Sequence, residues 1–137
     1  LLEKKLNVFK KYWAEQLAEL FPMLRDIQLL NEVQVLSLSY RHQIADTLYS
    51  YMNHLSKRHS MRKKIESEIT KSVNAREHKN VSNRRKELSK AIESSTVELA
   101  RQIELMEIWV ELCRNMIDTI DKLLLNIKYR IQLEDMQ

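Results

Sequence analysis

The chain contains no glycine in 137 residues and a single proline, Pro22. Average composition would supply roughly ten glycines and about seven prolines at this length. Hairpin turns, β-bulges and phosphate-binding loops depend on glycine, because glycine adopts positive φ and allows close backbone approach. The composition therefore argues against a β-rich fold and against a doubly wound α/β fold. It predicts an all-α protein with few turns.

Apolar residues recur at helical spacing from the first residues onward, which predicts a short helix over 1–20. Pro22 disfavours helical backbone at the residue before it and suits the first turn of a new helix. A second helix is therefore predicted over 22–75. Two Asn and one Ser within 80–83 are the strongest turn signal in the chain. They predict a turn that includes the basic residues of 76–83.

The third predicted helix, over 84–137, has a heptad of apolar residues separated by fours and threes throughout, as in a coiled coil or helical bundle. A second apolar row widens this stripe, so we expect the helix to contact more than one neighbour. The simplest explanation is self-association, most simply as a dimer, with Trp109 as an anchor. The residues predicted to mediate it are Ile103, Met106, Trp109, Val110, Cys113, Ile117, Ile120, Leu124 and Ile127.

Residues 1–137 are thus predicted to form one helical domain, a long antiparallel hairpin or coiled-coil bundle with a short N-terminal helix. Positive charge is concentrated in its middle. Between Lys57 and Lys90 there are twelve Lys and Arg against four Glu, a net +8 in a chain whose total is +4. Two basic clusters are expected to face each other at the hairpin end and to bind an anion. The predicted anion-binding residues are Lys57, Arg58, Arg62, Lys63, Lys64, Arg84, Arg85 and Lys86.

Catalytic chemistry finds little support in the sequence. Cys113 is the only thiol, but it occupies a heptad core position, where a free cysteine usually serves as a small hydrophobic residue. The four histidines have no metal-ligand spacing. Nucleotide-binding and nucleophile-elbow motifs require the glycines that the chain lacks. The sequence therefore predicts a non-enzymatic protein without a metal or a cofactor.

Residues 48–59 (LYSYMNHLSKRH) place an aromatic residue and a leucine before the pair Lys57-Arg58. This arrangement is similar to the middle helix of sorting-nexin-type BAR domains, which are dimeric helical modules that bind membranes. The resemblance covers at most 22–137. It implies a dimer whose basic residues contact an anionic membrane.

The run His59-Ser60-Met61-Arg62-Lys63-Lys64 and the residues of 111–128 also resemble the phage recombination mediators of the UvsY type. Those proteins are small oligomers that bind single-stranded DNA. The resemblance covers at most the last two-thirds of the chain. It implies a nucleic-acid partner for the same basic residues.

Three functions therefore remain open for this chain. The first is a self-associating scaffold that binds an anionic membrane, the second is a single-stranded DNA-binding assembly protein, and the third is a coiled-coil adaptor in a larger complex. Because no aromatic residue lies between Met52 and Trp109 on which bases could stack, the membrane is favoured over nucleic acid. With no signal-peptide pattern or membrane-spanning run, a cytoplasmic location is expected, with peripheral membrane attachment as a further prospect.

Overall fold

The computed structural model describes residues 1–75 and 81–136. Three α-helices account for most of them: α1 (Leu2–Met23), α2 (Leu30–Asn74) and α3 (Val81–Asp135). A short 3₁₀ helix (Ile27–Leu29) lies between α1 and α2. The described residues contain no β-strand, so the all-α prediction is confirmed.

The junction between the first two helices differs from the prediction. Pro22 lies in the last turn of α1 rather than at the start of α2. Pro22 lacks an N–H, but the turn that follows closes through i→i+3 bonds, such as Leu24 N–H to the Phe21 carbonyl at 3.2 Å. Asp26 then has an extended backbone, and its side chain accepts a hydrogen bond from the Gln28 N–H at 3.0 Å. The break is therefore made by the Asp26 cap, and α2 begins eight residues after Pro22.

The start of α3 is also earlier than predicted. The sequence predicts a turn over 76–83, but α3 begins at Val81. The remainder of the predicted basic turn, 76–80, lies outside the described residues. Residues 81–83 are therefore part of α3, although Ser82 and Asn83 are residue types that favour turns.

The chain divides into two compact units. Unit 1 consists of Leu1–Tyr51 with Ile108–Gln137, and unit 2 consists of Met52–Glu107. Unit 1 therefore contains segments of all three α-helices, whereas unit 2 contains segments of α2 and α3 alone. Among the described residues, fifteen are buried in unit 1 and four in unit 2. Two helices can cover only one face of each other, so the thinner core of unit 2 follows from its missing third helix.

The core of unit 1 joins all three helices. Leu20 of α1, Val33 of α2, and Leu123 and Ile127 of α3 form one cluster in which no side chain is more than 6 % exposed. At the end of α1, the Arg130 guanidinium donates a hydrogen bond to the Leu24 carbonyl. This bond satisfies a backbone acceptor that the end of the helix leaves without an intrahelical partner.

An ion pair and a ring stack fix the direction of α2 against α3 in unit 1. Arg41 Nε donates to Asp121 Oδ1 at 2.6 Å, and its Nη2 donates to Oδ2 at 3.4 Å. Tyr51 stacks on Trp109 with ring centroids 4.1 Å apart. Residues later in α2 thus pair with residues earlier in α3, and the two helices run antiparallel within this unit.

Candidate anion-binding and association surfaces

The basic residues of unit 2 form two groups. The α2 cluster consists of Lys57, Arg58, Arg62, Lys63 and Lys64. The end cluster consists of Arg84, Arg85 and Lys86 in the first turns of α3. By sequence, unit 2 has thirteen Lys and Arg against eight Asp and Glu, a net +5, whereas unit 1 has ten against eleven, a net −1. The structure therefore assigns the whole positive excess of the chain to unit 2.

Two arginines of the α2 cluster are held by neighbouring residues. Arg58 Nε donates to Gln102 Oε1 at 3.1 Å, and Arg58 Nη1 donates to the His54 carbonyl at 3.4 Å. Arg62 Nε pairs with Glu66 Oε1 at 3.2 Å, one helical turn later. These guanidinium groups are half-buried and are partly used for structure. The lysines of the α2 cluster are exposed.

All three residues of the end cluster are exposed. Over 81–90 the sequence has four Lys and Arg but one acidic residue, Glu87, so this stretch has a net charge of +3. Exposed cations close in sequence, with little nearby negative charge, attract polyanions most strongly. The end cluster is thus the candidate anion-binding group in which every cation is exposed.

The two clusters do not lie at the same height along the helices of unit 2. Arg58 contacts Gln102, and Arg62 shares the wall of a surface cavity with Thr96, so these helices are antiparallel with residue 62 near the level of residue 96. The same register places the end cluster near the level of Asn74. Ten residues of helix separate Lys64 from Asn74, which is about 15 Å. The expectation that the clusters face each other is therefore wrong, because in this register they lie at different levels along α2 and α3.

The residues predicted for self-association lie mainly inside the chain. Ile117 and Leu124 are half-buried, and the other seven are buried with exposed fractions of 5 % or less: Ile103, Met106, Trp109, Val110, Cys113, Ile120 and Ile127. In unit 1, both α1 and α2 pack on α3. Two neighbours within the chain therefore account for the wide apolar stripe, and its width is no evidence for a second copy. Self-association itself stays a prediction.

Trp109, the expected anchor of a partner contact, is 3 % exposed. Its ring lies against Tyr51 and also against Phe9 of α1, with ring centroids 5.5 Å apart in the latter pair. Its buried Nε1 has no hydrogen-bond partner among the described residues. Burial also raises the pKa of the nearby Cys113 thiol to about 11, so the thiol stays protonated at neutral pH and is a weak nucleophile. Trp109 and Cys113 are thus core residues in this chain.

Sequence reasoning missed an open groove in unit 1. Its volume is about 500 Å³, and it is lined by apolar side chains with two lysines. Val8 is 70 % exposed and Tyr12 is 49 % exposed. The signal was present in the sequence, because Leu1, Val8 and Tyr12 lie off the buried stripe of α1. The lining residues are Leu1, Lys4, Lys5, Val8, Phe9, Tyr12 and Trp109.

Within the described part of the chain, no His, Cys, Asp and Glu side chains are grouped in a way that could hold a metal ion. No described helix combines the length and the apolar character that a membrane crossing needs. Comparison with models of protein families, with curated proteins and with solved structures gives no match for this chain. The assignment of function therefore depends on the surfaces described above.

Proposed function

We propose that the protein is a non-enzymatic, self-associating helical scaffold that attaches to an anionic surface, and that this surface is a membrane. The observation that carries the proposal is the exposure of Arg84, Arg85 and Lys86 in a stretch with little negative charge. Each basic residue near an anionic membrane contributes about 1 kcal/mol of attraction. The lysines of the α2 cluster add to this attraction, whereas Arg58 and Arg62 add less because they are held by neighbouring side chains.

Two features favour a membrane over nucleic acid. The described part of unit 2 offers no aromatic side chain, and its sequence has none, so bases would have no stacking platform there. The groove of unit 1 combines exposed Val8 and Tyr12 with Lys4 and Lys5. Apolar side chains beside lysines suit the boundary between lipid headgroups and acyl chains.

Single-stranded DNA is the alternative ligand, since its phosphates attract the same cations and the sequence resembles UvsY-type mediators. An adaptor that binds only other helical proteins is the second alternative. It would use the exposed apolar residues of the helices and would need neither of the basic clusters.

The deciding experiment compares binding to three partners over a salt series. These are vesicles containing phosphatidylserine, vesicles of phosphatidylcholine alone, and a single-stranded oligonucleotide. We expect co-sedimentation with the anionic vesicles that weakens as salt rises, with little binding to the neutral vesicles. Tighter binding to the oligonucleotide than to the anionic vesicles would establish the DNA alternative. Binding to none of the three would refute attachment to an anionic surface and favour the adaptor.

A further inference from the structure

α2 carries a second apolar stripe on the side that faces away from the core of unit 1. Val35 is 67 % exposed, Leu38 is 52 % exposed and Tyr49 is 67 % exposed. His42 and Ala45 continue the same row, with an exposed His42 side chain and a half-buried Ala45. At 100° of rotation per residue, the centre of this row lies roughly 125° around the helix from the centre of the buried residues. The buried residues of α2 in unit 1 are Leu30, Val33, Ser37, Ile44 and Leu48.

The spacing of the exposed row is three, four, three and four from Val35 to Tyr49. A helix that merely lies on its own core needs one apolar stripe, whereas a coiled-coil seam needs this alternation of threes and fours. Val35, His42 and Tyr49 occupy the a positions, and Leu38 and Ala45 occupy the d positions. A β-branched residue at a with leucine at d favours two parallel strands. Val35 at a and Leu38 at d follow this preference, while the other three residues of the row keep only the spacing of a seam.

The charges beside the row specify the direction of pairing. Arg41 occupies the g position on one side, and Asp46 occupies the e position on the other. In a parallel pair of helices, a g residue faces the e residue five positions later in the partner, so Arg41 would face Asp46 of a second copy. The bonds of Arg41 to Asp121 use its Nε and Nη2, and Nη1 takes no part in either bond. The side chain of Asp46 is 69 % exposed, and its Oδ2 lies 3.5 Å from the Nε2 of His42 in the same chain. An ion pair with Arg41 of a second copy would therefore compete with this contact.

We propose that a second copy of this chain docks on the exposed row, with α2 against α2 in parallel and in register. This inference rests on the self-association included in the proposed function, and it moves the contact from α3 to α2. The α3 residues are used within the chain, whereas Val35, Leu38 and Tyr49 are available without unfolding. Because the seam has only two heptads and includes His42, association is expected to be weak.

The first test is analytical ultracentrifugation from micromolar to submillimolar concentration. Wild-type chain should show a reversible monomer–dimer equilibrium. The double variant Leu38→Glu/Tyr49→Glu should raise the dissociation constant at least about tenfold, because it places like charges opposite each other in the dimer. The matched control Val97→Glu/Leu133→Glu changes two exposed apolar residues to the same charge outside the row. It should leave the equilibrium unchanged, and circular dichroism should show unchanged helicity for both variants.

The second test distinguishes the direction of pairing. Val35→Cys should form an intermolecular disulfide under mild oxidation, because parallel pairing places the two positions 35 opposite each other. Antiparallel pairing centred on His42 would separate them by about 21 Å. The native Cys113 has no exposed surface and serves as the internal control. In addition, His42→Val should strengthen the dimer, because it removes a polar side chain from an a position.

A monomeric wild-type chain, or equal association of the double variant and the wild type, would overturn the inference. So would a loss of association in the control variant, or the absence of a disulfide between positions 35. Vesicle binding is measured separately on the same samples. A dimer that the double variant leaves intact would refute this surface alone, whereas a chain that fails to bind anionic vesicles would refute the proposed membrane function instead.

Discussion

Replacing the three residues of the end cluster by glutamine should strongly weaken the attraction to an anionic membrane. The three side chains are exposed and lie within the first turns of α3. At about 1 kcal/mol for each basic residue, the variant Arg84→Gln/Arg85→Gln/Lys86→Gln should lose about 3 kcal/mol of binding free energy. This is a decrease on the order of 100-fold in the partition coefficient onto vesicles. Co-sedimentation with phosphatidylserine vesicles at low salt measures it directly.

The matched control is Lys10→Gln/Lys11→Gln/Lys128→Gln. These three lysines are exposed and belong to unit 1, and the change lowers the net charge of the chain from +4 to +1, as the first variant does. The control should retain most of the affinity. Equal losses in the two variants would mean that total charge, and not the end cluster, determines binding. A further expectation is a salt dependence that is flatter for the end-cluster variant than for the control.

Trp109→Ala should lower the free energy of unfolding by about 3–5 kcal/mol in urea titrations. Trp109→Phe should cost much less, because the buried Nε1 makes no hydrogen bond to any residue that the structure describes. Cys113 should resist thiol reagents at about pH 8 until urea unfolds the chain, since burial raises its pKa to about 11. Its pKa in the folded chain lies above the ordinary thiol value of 9.0, so the contribution of the protonated thiol to stability is complete below pH 9.0 and is lost as the pH rises toward 11. Arg41→Gln should lower the free energy of unfolding by at most about 1 kcal/mol, and high salt should reduce the difference, because the ion pair with Asp121 is half-exposed. Equal stability of Trp109→Ala and wild type, rapid labelling of the folded thiol, or a large effect of Arg41→Gln would contradict these expectations.

The helical class follows from composition, because a chain without glycine has few ways to make turns other than helix ends. The element boundaries follow less directly. Pro22 predicts a helix start at residue 22, but Asp26 before an apolar helical run is also a start signal, and the structure follows Asp26. Pro22 lies within the last turn of α1, one residue before the helix ends at Met23, where its missing N–H removes one hydrogen bond of the helix. The preference of a single residue, whether Pro22 or Asp26, does not decide where the next helix begins.

The surfaces were harder to predict, because sequence periodicity does not identify the partner of a stripe. The heptad that includes Val110 and Ile120 is real, but α1 and α2 cover it. The row from Val35 to Tyr49 was overlooked because the buried residues of the same helix give a longer stripe. For the basic clusters, the sequence pattern shows where positive charge is concentrated but not the heights of the clusters, which depend on the register between α2 and α3 in unit 2. That these residues bind an anion stays a prediction.

Because unit 2 has few buried residues, its stability should depend on whether its ligand is bound. Four described residues are buried there, namely Val73, Thr96, Ile103 and Met106. Backbone amides of unit 2 should therefore exchange with solvent through local opening at a lower free energy than those of unit 1. An anionic surface that binds only the ordered helices would stabilise them by about 2.7 kcal/mol at 100 times its dissociation constant. The segment that holds the end cluster would thus become rigid on the surface to which it attaches, and slower amide exchange over 81–90 would report the occupied state.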